Sequence, residues 1–205
     1  MKFLRVIVLC LSTLAGLSPA LRAEREDVEL IFASLRDNAP LRATFAEARF
    51  HPFRAVPIKL SGELRFDPAR GLSLHYAEPE ETTLIVDDRG LLMRDARGRE
   101  RVAPPDHRAQ DSARALLRLM RFDYQALLAD FELQDTYSDG GWTFTFTPRD
   151  TEAAATPGTI SVSGQGDRVN TIVMAKSPRQ RIEITVTGVT PRAVFAADEI
   201  ARHFR

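Results

Sequence analysis

Leu60 to Asp95, LSGELRFDPARGLSLHYAEPEETTLIVDDRGLLMRD, is the stretch that decides the fold. Three or four short strands follow one another there with hardly a spare residue between them. Leu60, Gly62, Leu64 and Phe66 fall on one side of the first strand, and Ser61, Glu63 and Arg65 on the other. In the second, Leu72, Leu74 and Tyr76 alternate with Ser73 and His75. Alternation with period two predicts a sheet with one apolar and one wet face. Asp67-Pro68 and Pro79-Glu80 supply turns, and Asp88-Arg89-Gly90 a tight hairpin. A meander this long makes a large curved sheet. Whether its apolar face covers a packed core or a bound molecule decides the function.

Outward from this meander, Glu24 to Arg36 has helical spacing, with Val28, Ile31, Phe32 and Leu35 on one face and Asp27 as a capping residue. Asn38 and Pro40 end it. Leu41 to Phe50 is a strand with Phe45, Glu47 and Arg49 on one side, and the loop His51 to Pro57 leads into the meander. After Arg101 the chain changes character. Pro104-Pro105 opens an irregular link, and Asp111 or Ser112 caps a helix carrying Ala113, Leu116, Leu117 and Met120. Asp123 starts a second short helix with Tyr124, Leu127, Leu128 and Phe131. Strands resume with Phe131 to Tyr137. Trp142-Thr143-Phe144-Thr145-Phe146-Thr147 puts three aromatics on one face and three threonines on the other. Glu152 to Gly158 is an Ala/Thr loop. Thr159 to Ser163, Val169 to Lys176 and Gln180 to Thr187 complete a second meander. Pro191 to Arg205 fits either a short helix or a strand carrying Phe195. There is no internal repeat and no domain linker.

The N-terminus has the layout of a secretory signal peptide. A positive region, Met1 to Arg5, precedes an apolar run from Val6 to Leu17, and small residues suit cleavage after Ala20 or Ala23. Residues 1–23 are thus a leader and 24–205 one domain. The competing interpretation, an uncleaved anchor, meets a run too short to cross about 30 Å of hydrocarbon comfortably. Cys10 is not a lipidation site, because bulky Val8 and Leu9 precede it where small residues are needed. Cleavage removes this single cysteine, so a mature chain of about 180 residues rests on its core alone. An exported, cystine-free protein suits the periplasm of a Gram-negative bacterium. The 28 basic and 28 acidic residues are interspersed, and no basic face for nucleic acid emerges. The densest charged stretch, Arg94 to Arg101, reads as a solvated hairpin end.

No residue pattern announces chemistry. His51, His75, His107 and His203 stand too far apart for a metal motif. There is no Gly-x-Ser-x-Gly elbow, no phosphate-cradling glycine loop and no cysteine nucleophile. Asp87-Asp88 is in its ordinary role as a hairpin flank. Neither an enzyme nor a cofactor is expected. What remains is shape: an α+β, mainly β chain whose helices either pack tightly on the sheet or lie as a loose lid over an apolar cavity. Large side chains fill cavities as well as line them, so periodicity leaves both open.

The order of residues says more. A helix and a Phe45 strand precede Gly62-x-Leu64-x-Phe66-x-Pro68, Leu72-x-Leu74-x-Tyr76-x-x-Pro79 and Leu84-Ile85-Val86-Asp87-Asp88-x-Gly90-Leu91. This series resembles the periplasmic outer-membrane lipoprotein carriers of the LolA type, over most of the mature chain. The resemblance implies a curved, antiparallel half-open β-barrel of about eleven strands with helices forming a lid over an apolar cavity. It implies a carrier, not an enzyme, that takes lipoprotein acyl chains from a membrane-bound donor toward an outer-membrane acceptor, acting as a monomer. Exposed acyl chains cost ~0.8 kcal/mol per CH₂ in water, so such a carrier buries several methylenes and releases them when its lid moves. The sheet residues it nominates for the cavity are Leu64, Phe66, Leu74, Tyr76, Leu84, Trp142, Phe144 and Phe146. The lid residues are Leu116, Leu117 and Met120.

Two departures from the family pattern stand out. The family's turn arginine, which helps to hold the lid closed, is Asp67 here, with Arg65 and Arg70 as the nearby substitutes. The family's extended C-terminal tail is replaced by Val194 to Phe204. These departures admit a different cargo, such as a glycolipid or a polyene lipid. They also admit a different task, a lipid-sensing regulatory module of the same fold.

Overall fold

The alternating segments pair into one antiparallel sheet. The structure, a computed structural model, describes residues 19–103, 108–149 and 158–205. The leader as far as residue 18, the link around Pro104-Pro105 with His107, and the Ala/Thr loop up to residue 157 lie outside the described residues. The strands are β1 (Leu41–Phe50), β2 (Ile58–Asp67), β3 (Gly71–Glu78), β4 (Thr82–Asp87), β5 (Gly90–Asp95), β6 (Glu100–Val102), β7 (Phe131–Ser138), β8 (Gly141–Pro148), β9 (Thr159–Gln165), β10 (Arg168–Ser177) and β11 (Gln180–Pro191). The helices are α1 (Pro19–Asp37), α2 (Arg108–Met120), α3 (Tyr124–Asp130) and α4 (Ala197–His203).

The eleven strands run in the order β6-β5-β4-β3-β2-β1-β11-β10-β9-β8-β7. Two local meanders are joined by one long-range seam between β1 and β11, where Leu41 faces Pro191 and Phe50 faces Arg181. The outermost strands β6 and β7 do not pair with each other, so the barrel stays open. Its inner face curls around α1, α2 and α3. α2 lies over β3 to β5 and α3 beside β7, and buried apolar residues of both sheet halves and all three helices form one cluster. The eleven-stranded, half-open barrel with helices inside its curve is the architecture that the sequence predicts.

Two glycines allow close approaches. A Cβ on Gly62 would lie 2.0 Å from the His75 carbonyl oxygen, at an irregularity in the β2–β3 ladder. One on Gly164 would lie 2.4 Å from the Trp142 ring, whose indole N–H donates to the Gly166 carbonyl at 2.8 Å.

Three expectations need correction. α1 contains the expected Glu24 to Arg36 but begins at Pro19, because residues 19–26 are good helix formers led by a proline at the first helical position. Asp27 therefore lies inside the helix. α2 likewise begins at Arg108, so neither Asp111 nor Ser112 is its cap. Asp123, by contrast, caps α3 through the Ala126 N–H, as predicted.

The third correction concerns the wet face. The outer side of β2 to β5 is covered by the segment after β11, which turns at Arg192, runs without regular structure to Ala196 and then forms α4. Phe204, Ile85 and Leu92 are buried outside the inner cluster, and Ser73 has no exposed surface. Glu199 of α4 accepts from Arg42 (2.6 Å) and Arg65 (2.8 Å), and Arg94 donates to the Ala201, Arg202 and Phe204 carbonyls. Arg94 is thus a clamp on the C-terminal segment as well as part of a charged hairpin. His203 stands edge-on to His75 at 5.4 Å. Burial, helped by the charges of Arg65 and His75 and opposed by Glu199, lowers the His203 pKa to about 4.

Candidate functional site

The inner face of the barrel is the candidate site, and each wall has a local origin. β2 and β3 present Leu64, Phe66, Leu74 and Tyr76 because period two sends every second side chain inward. β8 presents Trp142, Phe144 and Phe146 for the same reason. α2 presents Leu116, Leu117 and Met120 on one helical face. All of these are buried, and Leu84 on β4 is partly buried against them. The residues nominated from sequence therefore come together in one apolar cluster.

The helices meet the sheet through rings and aliphatic chains. Phe32 of α1 stands 5.2 Å from Phe144, 6.2 Å from Phe146, 5.4 Å from Tyr124 and 6.1 Å from Phe122. Trp142 stacks on Phe144 at 4.7 Å. Phe32 was not nominated from the sequence, although its helical spacing with Val28 and Leu35 was the signal that could have found it. It is the side chain that ties α1 to β8 and to the lid segment at once.

Among the described residues the interior is nearly filled by side chains. Between Leu35, Leu64, Met120, Phe122, Ile172 and Val186 there remains a crevice of about 30 Å³, room for about one or two water molecules. Ligand cavities run to ~300–1,000 Å³. With the helices packed as they are, a chain of several methylenes does not fit this crevice. The much larger groove, about 490 Å³, lies outside, bordered by Asp67, Arg70, Arg192 and Phe195. It is open to solvent and separate from the apolar interior.

A charged pair, Glu47 and Arg49, stands on the inner face of β1. Glu47 is 4% exposed on the same face of β1 as Phe45. Its carboxylate accepts from the Tyr76 hydroxyl at 2.7 Å and from Arg49, while Arg49 also donates to Tyr76 at 3.2 Å and lies over its ring. Burial first, then the neighbouring Glu47 charge, pushes the Tyr76 phenol far above its ordinary value, so it stays a donor. Burial works against the Arg49 charge, but Glu47 outweighs it and raises the guanidinium further. The alternation of β1 places Glu47 inward; its hydroxyl partner, Tyr76, comes from β3.

Asp67, at the family's arginine position, closes its own turn. It accepts from the Ala69 N–H at 2.8 Å and from Arg70 at 2.6 Å. Arg65 points the other way, to Glu63 and Glu199. Among the described hydrogen bonds, neither arginine reaches α1, α2 or α3. The polar clip on the lid comes instead from the β4–β5 hairpin. Asp88 accepts from Arg121, just beyond α2, at 2.7 Å, while Asp87 accepts twice from Arg205 at 2.6 Å. Burial opposes ionisation of Asp87, but Arg205 and the Arg89 backbone N–H hold its pKa below the ordinary carboxylate value. One hairpin thus holds the lid with one carboxylate and the C-terminal segment with the next. Among the described residues no cluster of metal-binding side chains occurs, and no helix is long and apolar enough to cross a membrane.

A model of the family described as outer membrane lipoprotein carrier protein, LolA-like, matches residues 20–202. No curated protein matches the sequence. Among solved structures, a LolA superfamily protein from Nitrosomonas europaea is 10% identical, with 84% of this chain and 96% of that chain covered at a TM-score of 0.48. In the complex of MucA and MucB from Pseudomonas aeruginosa the matched chain is 14% identical, with 85% and 60% covered at 0.47. LprF from Mycobacterium bovis is 11% identical, with 82% and 95% covered at 0.36.

Proposed function

This chain belongs to the LolA-like family of outer membrane lipoprotein carrier proteins, and from that premise we propose that it is a periplasmic carrier. It binds the acyl chains of a lipoprotein, or of another lipid, between the inner face of its sheet and the helices α1 to α3. It moves them from a membrane-bound donor toward an acceptor at the outer membrane. The reading includes removal of residues 1–23 on export, and a monomer in transit.

The observation that supports it best is the interface between sheet and helices. It is apolar across both sheet halves, and its lid clip, Asp88 to Arg121, lies at the exposed rim. Separating such surfaces in water costs free energy in proportion to the apolar area exposed. An acyl chain that fills the gap removes that cost, so cargo and helices compete for the same surface. The closed form protects the interior when empty, and the lid opens only when something apolar replaces it. Leu64, Phe66, Leu74, Tyr76, Leu84, Trp142, Phe144 and Phe146 on the sheet would then meet the acyl chain. Leu116, Leu117 and Met120 would cover it.

The direct test is native mass spectrometry of protein purified from its own periplasm, followed by extraction and identification of any bound lipid. A bound acyl species that is lost in Phe144→Arg, with the secondary structure retained, is the expected result. Absence of any bound species, together with no gain in the fluorescence of an acyl probe on titration, would falsify the proposal.

A further inference from the structure

The seven residues His51 to Pro57 join β1 to β2 and carry the most exposed large apolar side chain of the described chain. Phe53 is 99% exposed, and Val56, three residues on, is 69% exposed. Leu30, Met93, Val102, Tyr137 and Val194, the other exposed large apolar residues, are distributed over five different elements or segments. Phe53 and Val56 share one short loop, flanked by Pro52 and Pro57, which limit its freedom.

The ladder places this loop in front of its neighbours. The last pairing of β2 with β3 is Ser61 to Glu78, yet β2 continues outward to Ile58, still paired with Arg49 of β1. Three further strand residues extend the ribbon by roughly 10 Å beyond β3 before the loop begins. On the other flank, Phe50 faces Arg181 at the start of β11, and the Arg181 guanidinium lies over the Phe50 ring at 3.6 Å.

Charge is uneven around the tip. Arg54 and Lys59 lie in and below it, Lys176 at the end of β10 and Arg179 on the adjoining β10–β11 turn. All four are exposed and form no ion pair among the described residues. Arg181 is paired with Glu183. Of the other described acids at this end, Glu78, Glu80 and Glu81 stand on the opposite flank, at the β3–β4 turn.

We propose that the β1–β2 loop is a membrane-docking tip that inserts Phe53 and Val56 into the surface of an anionic phospholipid bilayer, with Arg54, Lys59, Lys176 and Arg179 against the headgroups. An apolar apex ringed by cations that form no ion pair among the described residues fits the boundary between acyl chains and anionic headgroups. The acidic β3–β4 turn lies about 10 Å behind the tip on one flank only, which tilts the docked protein toward its basic β10–β11 side. Docking is independent of the proposed cargo: the tip would bind vesicles even if the interior never held a lipid.

The test is co-sedimentation of the protein with vesicles of phosphatidylethanolamine and phosphatidylglycerol, against vesicles of phosphatidylcholine alone. Phe53→Ser and the pair Arg54→Glu/Arg179→Glu are compared with the parent chain. Each cation near an anionic surface strengthens binding about fivefold, and loss of a Phe side chain from an apolar phase weakens it about ten- to a hundredfold. Binding that needs phosphatidylglycerol, falls at least about tenfold in Phe53→Ser and more in the double charge reversal, and weakens with salt supports the tip. Equal binding by parent and Phe53→Ser overturns it, as does no binding to either vesicle. So does a Phe53→Ser effect confined to self-association in sedimentation velocity, which would make the tip a contact between copies of the chain. All these substitutions are exposed, so loss of folding does not confuse the outcomes.

Discussion

Phe32→Ala separates a lid from a permanent core. Phe32 is buried and lies within about 5 to 6 Å of four rings, two on β8 and two in the lid segment. Truncating a buried Phe to Ala costs about 3–5 kcal/mol, with the aromatic pairs placing this site in the upper part of that range. Total stability is about 5–15 kcal/mol, so the variant remains folded, with a lower urea midpoint and an unchanged slope. The lid argument adds a second consequence. If about half of the lost energy had held α1 against the sheet, the open fraction rises about thirtyfold, and apparent affinity for an acyl chain rises with it. The assay is a urea titration by circular dichroism beside a titration with a dansyl-labelled fatty acid. A stability loss below about 1 kcal/mol would show that Phe32 does not hold α1. A full loss with unchanged or weaker acyl binding would refute helix displacement as the way into the barrel.

Tyr76→Phe removes one donor from the buried Glu47 carboxylate and should cost about 1.5–3 kcal/mol in urea unfolding; a change below about 0.5 kcal/mol would mean that Arg49 alone satisfies Glu47. Gly164→Ala puts a methyl group 2.4 Å from the Trp142 ring and 2.0 Å from the Arg168 carbonyl oxygen. It should lower stability by about 1–3 kcal/mol or more and alter the Trp142 emission; parent-like values would show that the β8–β9 contact yields freely. Docking of residues 192–205 should weaken in acid. His203 has a pKa of about 4 when docked against an ordinary 6.5, so the docked form binds fewer protons and protonation favours release. Docking is complete above pH 6.5 and declines as pH falls toward 4, with Arg65, Arg202 and His75 adding to the penalty and Glu199 reducing it. Hydrogen exchange of this segment across that window should accelerate in the parent and stay flat in His203→Gln; equal profiles would exclude His203 as the responsible group.

The strands of β1 to β5 and β8 could be read in advance because each rests on alternation within fewer than a dozen residues. Asp123 could be read as a cap because its partner, the Ala126 N–H, is three residues away. Elements whose limits depend on weaker signals were displaced. Asp27 and Asp111 look like caps, yet helix-forming residues before them carry each helix further toward the N-terminus. The outer face of β2 to β5 looked solvated because Glu63, Arg65, Ser73 and His75 are polar. Nothing local shows that Glu199, His203 and Phe204, more than a hundred residues later, return to cover them. The same holds for Glu47, whose partner Tyr76 lies on another strand.

The sequence by itself determined which residues face inward, where the chain turns, and that the inward set is apolar on strands and helices alike. These follow from fixed periods of 2.0 and 3.6 residues and from turn chemistry, all short in range. Only the tertiary structure decided that β1 and β11 join the two meanders, that the C-terminal segment covers the outer face, and that the interior closes to a crevice of about 30 Å³. That volume depends on how side chains from distant segments interlock. It is the small difference between the space inside the curve of the sheet and the bulk of Phe32, Phe144, Met120 and their neighbours, and no local pattern encodes such a difference.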